Sequence, residues 1–359
     1  MHPKTIKSRA GVTIKQVAAA ADVAVGTVSR VINGHEDVDA DLRSHVENVI
    51  RVLGYRPNIL AQNFVRNRSP ILSFVLGNSE VLNPVQALIL MGIEEHCEQT
   101  GYFVLFTRFQ YTPQMKSREI RLPNVLERNG LTDGLIVAGQ IHDNLLGALN
   151  HLGLPYVVLG NHTVHESLKE VVNQVRYDDN AGFYEATKYL IQLGHKDIWF
   201  SGDNSLPWFN TRYEGYARAM AEHSLEVRVQ ALALSDNPFD NGRANIELLI
   251  EEGKKMTALV AQSDDLAFGA IEGLRQRGRE VPKDVSVIGF DYQLQRNRAT
   301  HLTSICVDTI QVGRELARSA IARIRSNGAD VPVTVVPTVL VKRGTCRPLR
   351  TQNIDRMVL

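Results

Sequence analysis

The chain has 359 residues, 44% of them hydrophobic, and a formal net charge of +1. This length allows two or three domains with sizeable cores, and no apolar run is long enough to span a bilayer, which excludes an integral membrane protein. Cys97, Cys306 and Cys346 are far apart and show neither paired nor metal-ligand spacing. We therefore expect reduced, buried thiols in a cytoplasmic protein, with no metal and no cofactor.

The first predicted elements lie between Val12 and Asn33, in the alanine-rich stretch VTIKQVAAAADVAVGTVSRVIN. A signal peptide would need an uninterrupted apolar run after basic residues, and polar and charged residues interrupt this one. With a period of 3.6 residues, the apolar side chains fall on two stripes. The sequence therefore predicts two short helices, one from about Ile14 and one from about Val25 to Ile32.

The residues that flank these helices support the same interpretation. Thr13 and Gln16 have the spacing of a capping box, and Asp22 tolerates the left-handed backbone of a tight turn. Two helices joined by a short turn form a helix-turn-helix, whose second helix enters the DNA major groove. An ordinary helical hairpin inside a core is the alternative.

A third helix and an uneven charge distribution favour DNA binding over the helical hairpin. The stretch DADLRSHVENVIRVLGYRPN predicts a helix that is capped at Gly54 and stopped by Pro57. Residues 1–68 contain ten Lys and Arg against six Asp and Glu, whereas the remainder contains 30 against 33. A basic N-terminal module on a mildly acidic body is typical of nucleic-acid binding.

The rest of the chain alternates short β-rich segments with helical ones. This alternation predicts parallel sheets covered by helices, and the strands are too many for one sheet, so two lobes are expected. Ligands of such folds lie at the carboxyl ends of the strands, here in the cleft between the lobes. The predicted strands are ILSFVL from Ile71, YFVLF from Tyr102, DGLIVA from Asp133, PYVVLG from Pro155, DIWFSG from Asp197, MTALVAQ from Met256 and VSVIGF from Val285.

The body contains no pattern that indicates catalysis. The motifs GxGxxG, GxxxxGK[ST], GxSxG and HExxH do not occur in the sequence. The acid pairs Asp178–Asp179 and Asp264–Asp265 could serve acid–base or metal chemistry, but polar binding or helix capping is the favoured interpretation. The stretch HTVHE, from His162, has no companion Cys or His cluster, so a solvated loop is favoured over a metal site.

Four motifs in this order resemble those of the lactose-repressor/galactose-repressor (LacI/GalR) family of bacterial transcription regulators. They are TVSRVIN (27–33), GYRPN (54–58), LIQLGH (190–195) and VSVIGFD (285–291), and the resemblance covers essentially the whole chain. It implies an all-α helix-turn-helix headpiece with a hinge helix, and an α/β effector domain with two lobes similar to those of periplasmic sugar-binding proteins. It also implies a homodimeric repressor that binds palindromic operator DNA and a small-molecule effector.

The same resemblance divides the chain into domains, with three crossings between the lobes. The final segment lacks the sustained heptads of a coiled coil. The implied domains are a headpiece (1–57), a hinge helix (58–69), a first lobe (70–176 with about 293–330), a second lobe (177–292 with about 331–347) and a tail (348–359).

In the second helix, the resemblance assigns base reading to the first helical positions, here Val25 and Gly26. Both are too small for bidentate hydrogen bonds, so Ser29 and Arg30 are expected to be the polar readers of base edges. Ala24 replaces the serine that usually caps this helix, which costs about 0.5–2 kcal/mol of helix stability. The residues implied to contact phosphate without reading sequence are Thr13, Thr27, Asn33 and Tyr55.

The linker NILAQNFVRNRS resembles a hinge helix that forms only on operator DNA. A helix of about eight residues is too short to persist alone in water, so it needs the DNA and a dimer partner. Asn58 and Ala61 are implied DNA contacts. Phe64 stands where the family inserts a leucine between the central base pairs, and an aromatic ring can also unstack and kink DNA. For Tyr55, packing beneath the third helix is the alternative to phosphate contact.

The resemblance places the effector between the lobes. Arg212 would hold its hydroxyls or carboxylate with a planar fork of donors, and Asp291 would accept from hydroxyls on the opposite wall. A salt bridge between these two residues, without a ligand, is the alternative. The other implied effector residues are Asn78, Ser263, Asp264 and the aromatic residues Tyr177, Trp208 and Phe209, for each of which core packing is an alternative.

Two departures from the family pattern bear on the effector. Gly160 stands where many relatives have a cleft aspartate, and Asp179 replaces a common asparagine. We therefore expect a sugar or sugar derivative that differs from simple hexoses, with a purine or a sugar acid as alternatives.

Two other classes of protein share parts of the pattern. A periplasmic solute-binding protein has a similar body, but that class has a signal peptide and no headpiece. A sugar-active enzyme would need catalytic motifs. The sequence therefore predicts a transcription regulator and not an enzyme.

Overall fold

The chain forms two separate units in the computed structural model. Contacts divide it between Ser69 and Pro70 into a headpiece and a body. Within the described part of the chain, no helix has the length and apolar character needed to cross a membrane. The structure describes residues 12–35, 37–55, 69–78, 82, 84–128, 130–163, 173–202, 207–230, 235, 237–291 and 301–349.

The headpiece consists of the helices α1 (Ile14–Ala20), α2 (Val25–Ile32) and α3 (Ala40–Leu53). Their apolar faces meet in a small core, in which Val17, Val28 and Val46 are fully buried. The three helices are those that the sequence predicts.

The ends of these helices also follow the local signals. The Gln16 amide donates to Thr13 Oγ1, and the Thr13 amide donates to Gln16 Oε1 at 2.8 Å, which confirms the capping box. Asp22 has φ 52° in the turn between α1 and α2, and Gly54 has φ 61° at the end of α3. Both values lie in the left-handed region that Asp tolerates and Gly favours.

The body contains two six-stranded sheets, as expected for a two-lobed α/β fold. The first has the order β11-β5-β4-β3-β1-β2 and the second β12-β10-β9-β8-β6-β7. The described pairings are parallel except that of β12 with β10. The strands are β1 (Ile71–Gly77), β2 (Phe103–Phe109), β3 (Gly134–Gly139), β4 (Tyr156–Leu159), β5 (Gln174–Tyr177), β6 (Ile198–Ser201), β7 (Arg228–Gln230), β8 (Ala258–Ala261), β9 (Ser286–Asp291), β10 (Thr303–Val307), β11 (Thr334–Val336) and β12 (Thr338–Val341).

Helices alternate with most of these strands. They are α4 (Pro84–Thr100), α5 (Asn124–Glu127), α6 (Asp143–Leu152), α7 (Asp179–Gln192), α8 (Pro207–Glu222), α9 (Pro238–Glu251), α10 (Asp264–Gln276) and α11 (Thr309–Arg325). In α4, a Cβ on Gly92 would lie 2.0 Å from the carbonyl oxygen of Ile310 in α11. Only glycine therefore allows these two helices to cross so closely.

The seven predicted strands are all present, and the structure adds five more. The added strands β5, β7, β10, β11 and β12 have three to five residues each. Each of them contains at least one polar residue, which shortens the apolar run that marks a buried strand. β5 matters for the candidate site, because α7 begins two residues after β5 ends.

The sheets correct two of the expected lobe boundaries. β10 lies within the segment 293–330 expected in the first lobe, but it pairs with β9 of the second sheet. β11 lies within the segment 331–347 expected in the second lobe, but it pairs with β5 of the first sheet. The chain therefore passes between the sheets after Tyr177, at Asp308 and at Pro337, which keeps the expected number of crossings and moves their positions.

One apolar core joins the two sheets. Phe183 of α7 stacks on Phe290 of β9, with ring centroids 5.4 Å apart. Tyr177, the last residue of β5, lies 6.2 Å from the same ring. The end of the first sheet is thus packed directly against the second.

Candidate functional site

The helix α2 presents small residues on its outward face. Val25 is 41% exposed, and open space surrounds the position that a Cβ on Gly26 would take. Val28 and Val31 are buried and hold the helix on the headpiece core. Ala24 at the N-cap has no side-chain oxygen, so α2 has no side-chain hydrogen bond from its N-cap, as the sequence predicts.

Ser29 and Arg30 lie one turn further along α2. Arg30 Nη1 is 3.3 Å from Asp37 Oδ2, and both side chains are more than half exposed. An exposed pair of this kind is worth about 0–1 kcal/mol, so Arg30 can leave it at little cost. Asn33 Nδ2 donates to the carbonyl of Ser29 at 2.7 Å. The base-reading roles of Ser29 and Arg30 stay a prediction.

The implied phosphate contacts differ in how they are held. The hydroxyl of Thr13 lies 3.1 Å from Gln16 Oε1 in the capping box. Thr27 is half-buried on α2, and Tyr55 is half-buried against the headpiece core, as the packing alternative requires. The implied hinge contacts, Asn58, Ala61 and Phe64, lie outside the described residues.

In the body, polar side chains collect where strands of both sheets end. Asn78 follows β1, Asn161 follows β4, and Ser263 follows β8. The carboxyl ends of parallel strands meet at one edge of a sheet, which is the usual position of a ligand. A compact group also lies there, which we call the Arg212 cluster; it consists of Arg212, Asp179, Gln262, Phe209 and Phe290.

Arg212 is only 1% exposed and lies at the centre of its cluster. Its Nε donates to Asp179 Oδ2 at 3.3 Å, and its Nη1 donates to the carbonyl oxygen of Gln262 at 2.6 Å. The guanidinium carbon lies 4.1 Å from the ring centroid of Phe290 and 5.2 Å from that of Phe209. An ion pair, a hydrogen bond and two aromatic rings therefore fix the plane of the guanidinium.

The carboxylate beside Arg212 belongs to Asp179, the first residue of α7, which is 2% exposed. Burial raises the pKa of this carboxyl, and the neighbouring guanidinium opposes the rise. Asn161 Nδ2 lies 3.5 Å from the other carboxylate oxygen, Oδ1. The ion pair thus lies where the chain passes from the first sheet to the second.

The contact between Asp179 and Arg212 is not predictable from the sequence. Polar binding or helix capping is the interpretation favoured for the pair Asp178–Asp179, and Asp178 does cap α7 by accepting from the amide of Ala181 at 3.0 Å. The family resemblance implies Asp291 opposite Arg212. The backbone of Asp291 ends β9, and its side chain lies outside the described part of the structure.

Ser263 and Asp264 begin the helix α10, as the sequence predicts. Ser263 Oγ accepts from the amide of Leu266 at 3.2 Å, which makes Ser263 the N-cap. Asp264 is buried, and its Oδ1 accepts from Ser304 Oγ at 2.7 Å. The second lobe thus places a buried carboxylate after β8, close to the backbone of Gln262 that holds Arg212.

Asn78 belongs to a polar group at the ends of the first three strands. It has φ 51°, and its Oδ1 accepts from the amide of Tyr111 at 2.8 Å. The hydroxyl of Tyr111 donates to the carbonyl of Gln140 at 2.7 Å and lies 2.9 Å from His142 Nδ1. Burial raises the pKa of Tyr111 to about 12 and lowers that of His142. Sequence reasoning missed Tyr111 and His142, because single polar residues in loops carry no periodic signal.

The implied aromatic contacts occupy different environments. Tyr177 is 1% exposed and belongs to the main core, as its packing alternative requires. Phe209 is half-buried on α8 and covers one side of Arg212. The backbone of Trp208 lies in the first turn of α8, and its side chain lies outside the described part of the structure.

The side chain of Gln174 leaves little space for a side chain at position 160. A Cβ on Gly160 would lie 2.2 Å from Oε1 of Gln174, a buried residue of β5. The Gln174 amide thus fills the space that a side chain at position 160 would need.

A helix-turn-helix headpiece joined to a two-sheet α/β body defines a class of ligand-controlled DNA-binding proteins, and comparisons with known proteins agree. Residues 13–58 match the model of the bacterial regulatory proteins of the lacI family. Residues 187–346 match the periplasmic binding protein-like domain.

Two curated relatives extend this similarity over nearly the whole chain. The transcriptional regulator RegA of Clostridium saccharobutylicum is 31% identical over 92% of this chain and 98% of its own. The transcriptional repressor PurR of Actinobacillus pleuropneumoniae is 30% identical over 87% of this chain and 91% of its own. The chain therefore belongs to the lacI family and is a transcription regulator.

Solved structures are similar to the fold. The transcriptional regulator CelR in complex with cellobiose has a TM-score of 0.64 and 28% identity, and the match covers 93% of this chain and 99% of CelR. The lac repressor dimer bound to operator and the anti-inducer ONPF has a TM-score of 0.75 and 22% identity, and covers 94% and 99% of the two chains. The expected fold class is confirmed.

Proposed function

We propose that this chain is a homodimeric repressor that binds palindromic operator DNA through α2 and responds to a small molecule bound at the Arg212 cluster. The observation that carries the effector site is the arginine itself, held rigidly at the carboxyl edge of the second sheet. A rigid fork of donors recognises hydroxyl and carbonyl oxygens with little loss of side-chain entropy.

A sugar or sugar derivative is the effector that the surrounding groups favour. A guanidinium supplies only donors, whereas the carboxylate of Asp264 supplies only acceptors. Hydroxyl groups can satisfy both, because each hydroxyl donates and accepts. The bound cellobiose of the similar regulator CelR agrees with this choice. A nucleobase is the second candidate, because the half-buried ring of Phe209 offers a flat apolar surface beside Arg212.

Effector binding would control DNA binding through the angle between the lobes. The Arg212 cluster lies next to the crossing from β5 to α7, so a ligand there contacts groups that follow strands of both sheets. A ligand that binds one lobe arrangement more tightly shifts the population toward it. The operator affinity then changes by the coupling free energy between the two sites.

Two measurements on the full chain test this function. Selection from random duplexes is expected to yield a palindrome, bound with a steep dependence on salt because phosphate contacts release counterions. Thermal melting with sugars and nucleobases is expected to find a compound that raises the melting temperature by mass action and changes operator affinity. A chain that selects no sequence would contradict the DNA-binding part, and a hit that leaves operator affinity unchanged would contradict the coupling.

A further inference from the structure

The charge of Arg212 is already balanced inside the protein. Resting on the effector site proposed above, we infer that the effector is uncharged, and that Asp179 is the residue that excludes sugar acids and sugar phosphates. This narrows the alternatives left by the sequence, in which a cleft arginine suits a carboxylate as well as a hydroxyl.

The balance follows from the contacts of the ion pair. Arg212 and Asp179 are 1% and 2% exposed, and the distance of 3.3 Å joins a guanidinium nitrogen to a carboxylate oxygen. Water therefore screens the pair little, and the two charges interact strongly with each other. The rings of Phe209 and Phe290 flank the guanidinium, so an approaching ligand meets its edge, on which Asp179 already lies.

A second buried carboxyl lies on the segment that holds Arg212. Asp264 is buried two residues after Gln262, whose carbonyl accepts from Arg212. An anionic ligand would have to give up its hydration to approach a guanidinium that already has a carboxylate partner, whereas hydroxyl groups lose little and can donate to carboxylates.

The role of Asp179 can be tested without knowing the effector. Inorganic phosphate is titrated into the full chain at constant ionic strength, and the melting temperature is followed in the wild type, in Asp179→Asn and in the double variant Asp179→Asn/Arg212→Gln. We expect a saturable rise only in Asp179→Asn, because this variant alone keeps the buried arginine and removes the carboxylate that lies 3.3 Å from it. The double variant controls for the general, non-saturable stabilisation that phosphate gives to proteins.

Two results of this titration would overturn the inference. One is a saturable response of the wild type that disappears in the double variant, which would show that Arg212 accepts anions beside Asp179. The other is an Asp179→Asn protein that folds but responds no more than the double variant.

A second arm uses only the wild type. Glucose, gluconate and glucose 6-phosphate are compared with cellobiose and cellobionate by calorimetry. If a neutral sugar binds and the corresponding acid or phosphate does not, the inference is supported. If an anionic compound binds, the inference is overturned. If no sugar binds, the proposed sugar effector fails, and the phosphate titration still decides the inference on charge.

Discussion

Two arginines of this protein make the same contact in opposite surroundings. Arg30 of the recognition helix and Arg212 of the body each have a nitrogen 3.3 Å from an aspartate oxygen. The side chain of Arg30 is 63% exposed and that of Arg212 is 1% exposed. At Arg30 this distance describes an exposed pair that water screens and that opens at little cost. At Arg212 the same distance describes a pair whose separation would leave a buried charge.

The largest expected effect is on stability and separates the two arginines. Arg212→Met leaves the buried carboxylate of Asp179 without its cation, which costs about 3–5 kcal/mol in the free energy of unfolding. Arg30→Met is the matched control, and its exposed pair is worth about 0–1 kcal/mol. Urea unfolding of the full-length variants measures both, and equal losses would contradict the comparison.

The same variant has an expected pH dependence. Burial already raises the pKa of Asp179, and Arg212 opposes the rise, so removal of Arg212 raises this pKa further above the unfolded value. The folded state then holds a proton that the unfolded state releases, so stability is lost as the pH rises through this range. We expect the deficit of Arg212→Met relative to wild type to be larger at neutral pH than near about pH 4.

The second expected effect is on DNA binding. Arg30→Ala is expected to cost about 1–3 kcal/mol of binding to the selected operator and to relax one symmetric base position, because a guanidinium reads base edges. Asp37→Ala is the control, since it removes the exposed partner of Arg30 and leaves the reading group in place. Unchanged selectivity in Arg30→Ala, measured on single-base operator variants, would remove this residue from the base-reading set.

The smallest expected effect tests the missing cap of the recognition helix. Ala24→Ser supplies an oxygen for the first amides of α2 and is expected to stabilise the headpiece by about 1 kcal/mol. Slower hydrogen exchange at the amides of Val28 and Val31 measures this gain. Ala20→Ser, at the end of α1, is the control without a cap to form. Equal exchange in both variants would mean that the first amides of α2 already have other hydrogen-bond acceptors.

The sequence predicts the headpiece far better than the candidate effector site. Its helices, the capping box of Thr13 with Gln16, and the left-handed residues Asp22 and Gly54 all occur as expected. Each depends on residues within about four positions of one another, a range over which helix geometry fixes the neighbours. Seven strands of the body are predicted equally well, because buried strands form recognisable apolar runs.

The partners of these elements depend on the tertiary structure. The sequence alone determined a DNA-binding headpiece on a two-lobed α/β body, and its family resemblance implied Arg212, Ser263 and Asp264 as effector residues. Only the tertiary structure put β10 and β11 in their sheets and put Asp179 beside Arg212, 33 positions away in the chain. Strand pairing and buried ion pairs are chosen by three-dimensional proximity, and many distant residues satisfy the same local pattern.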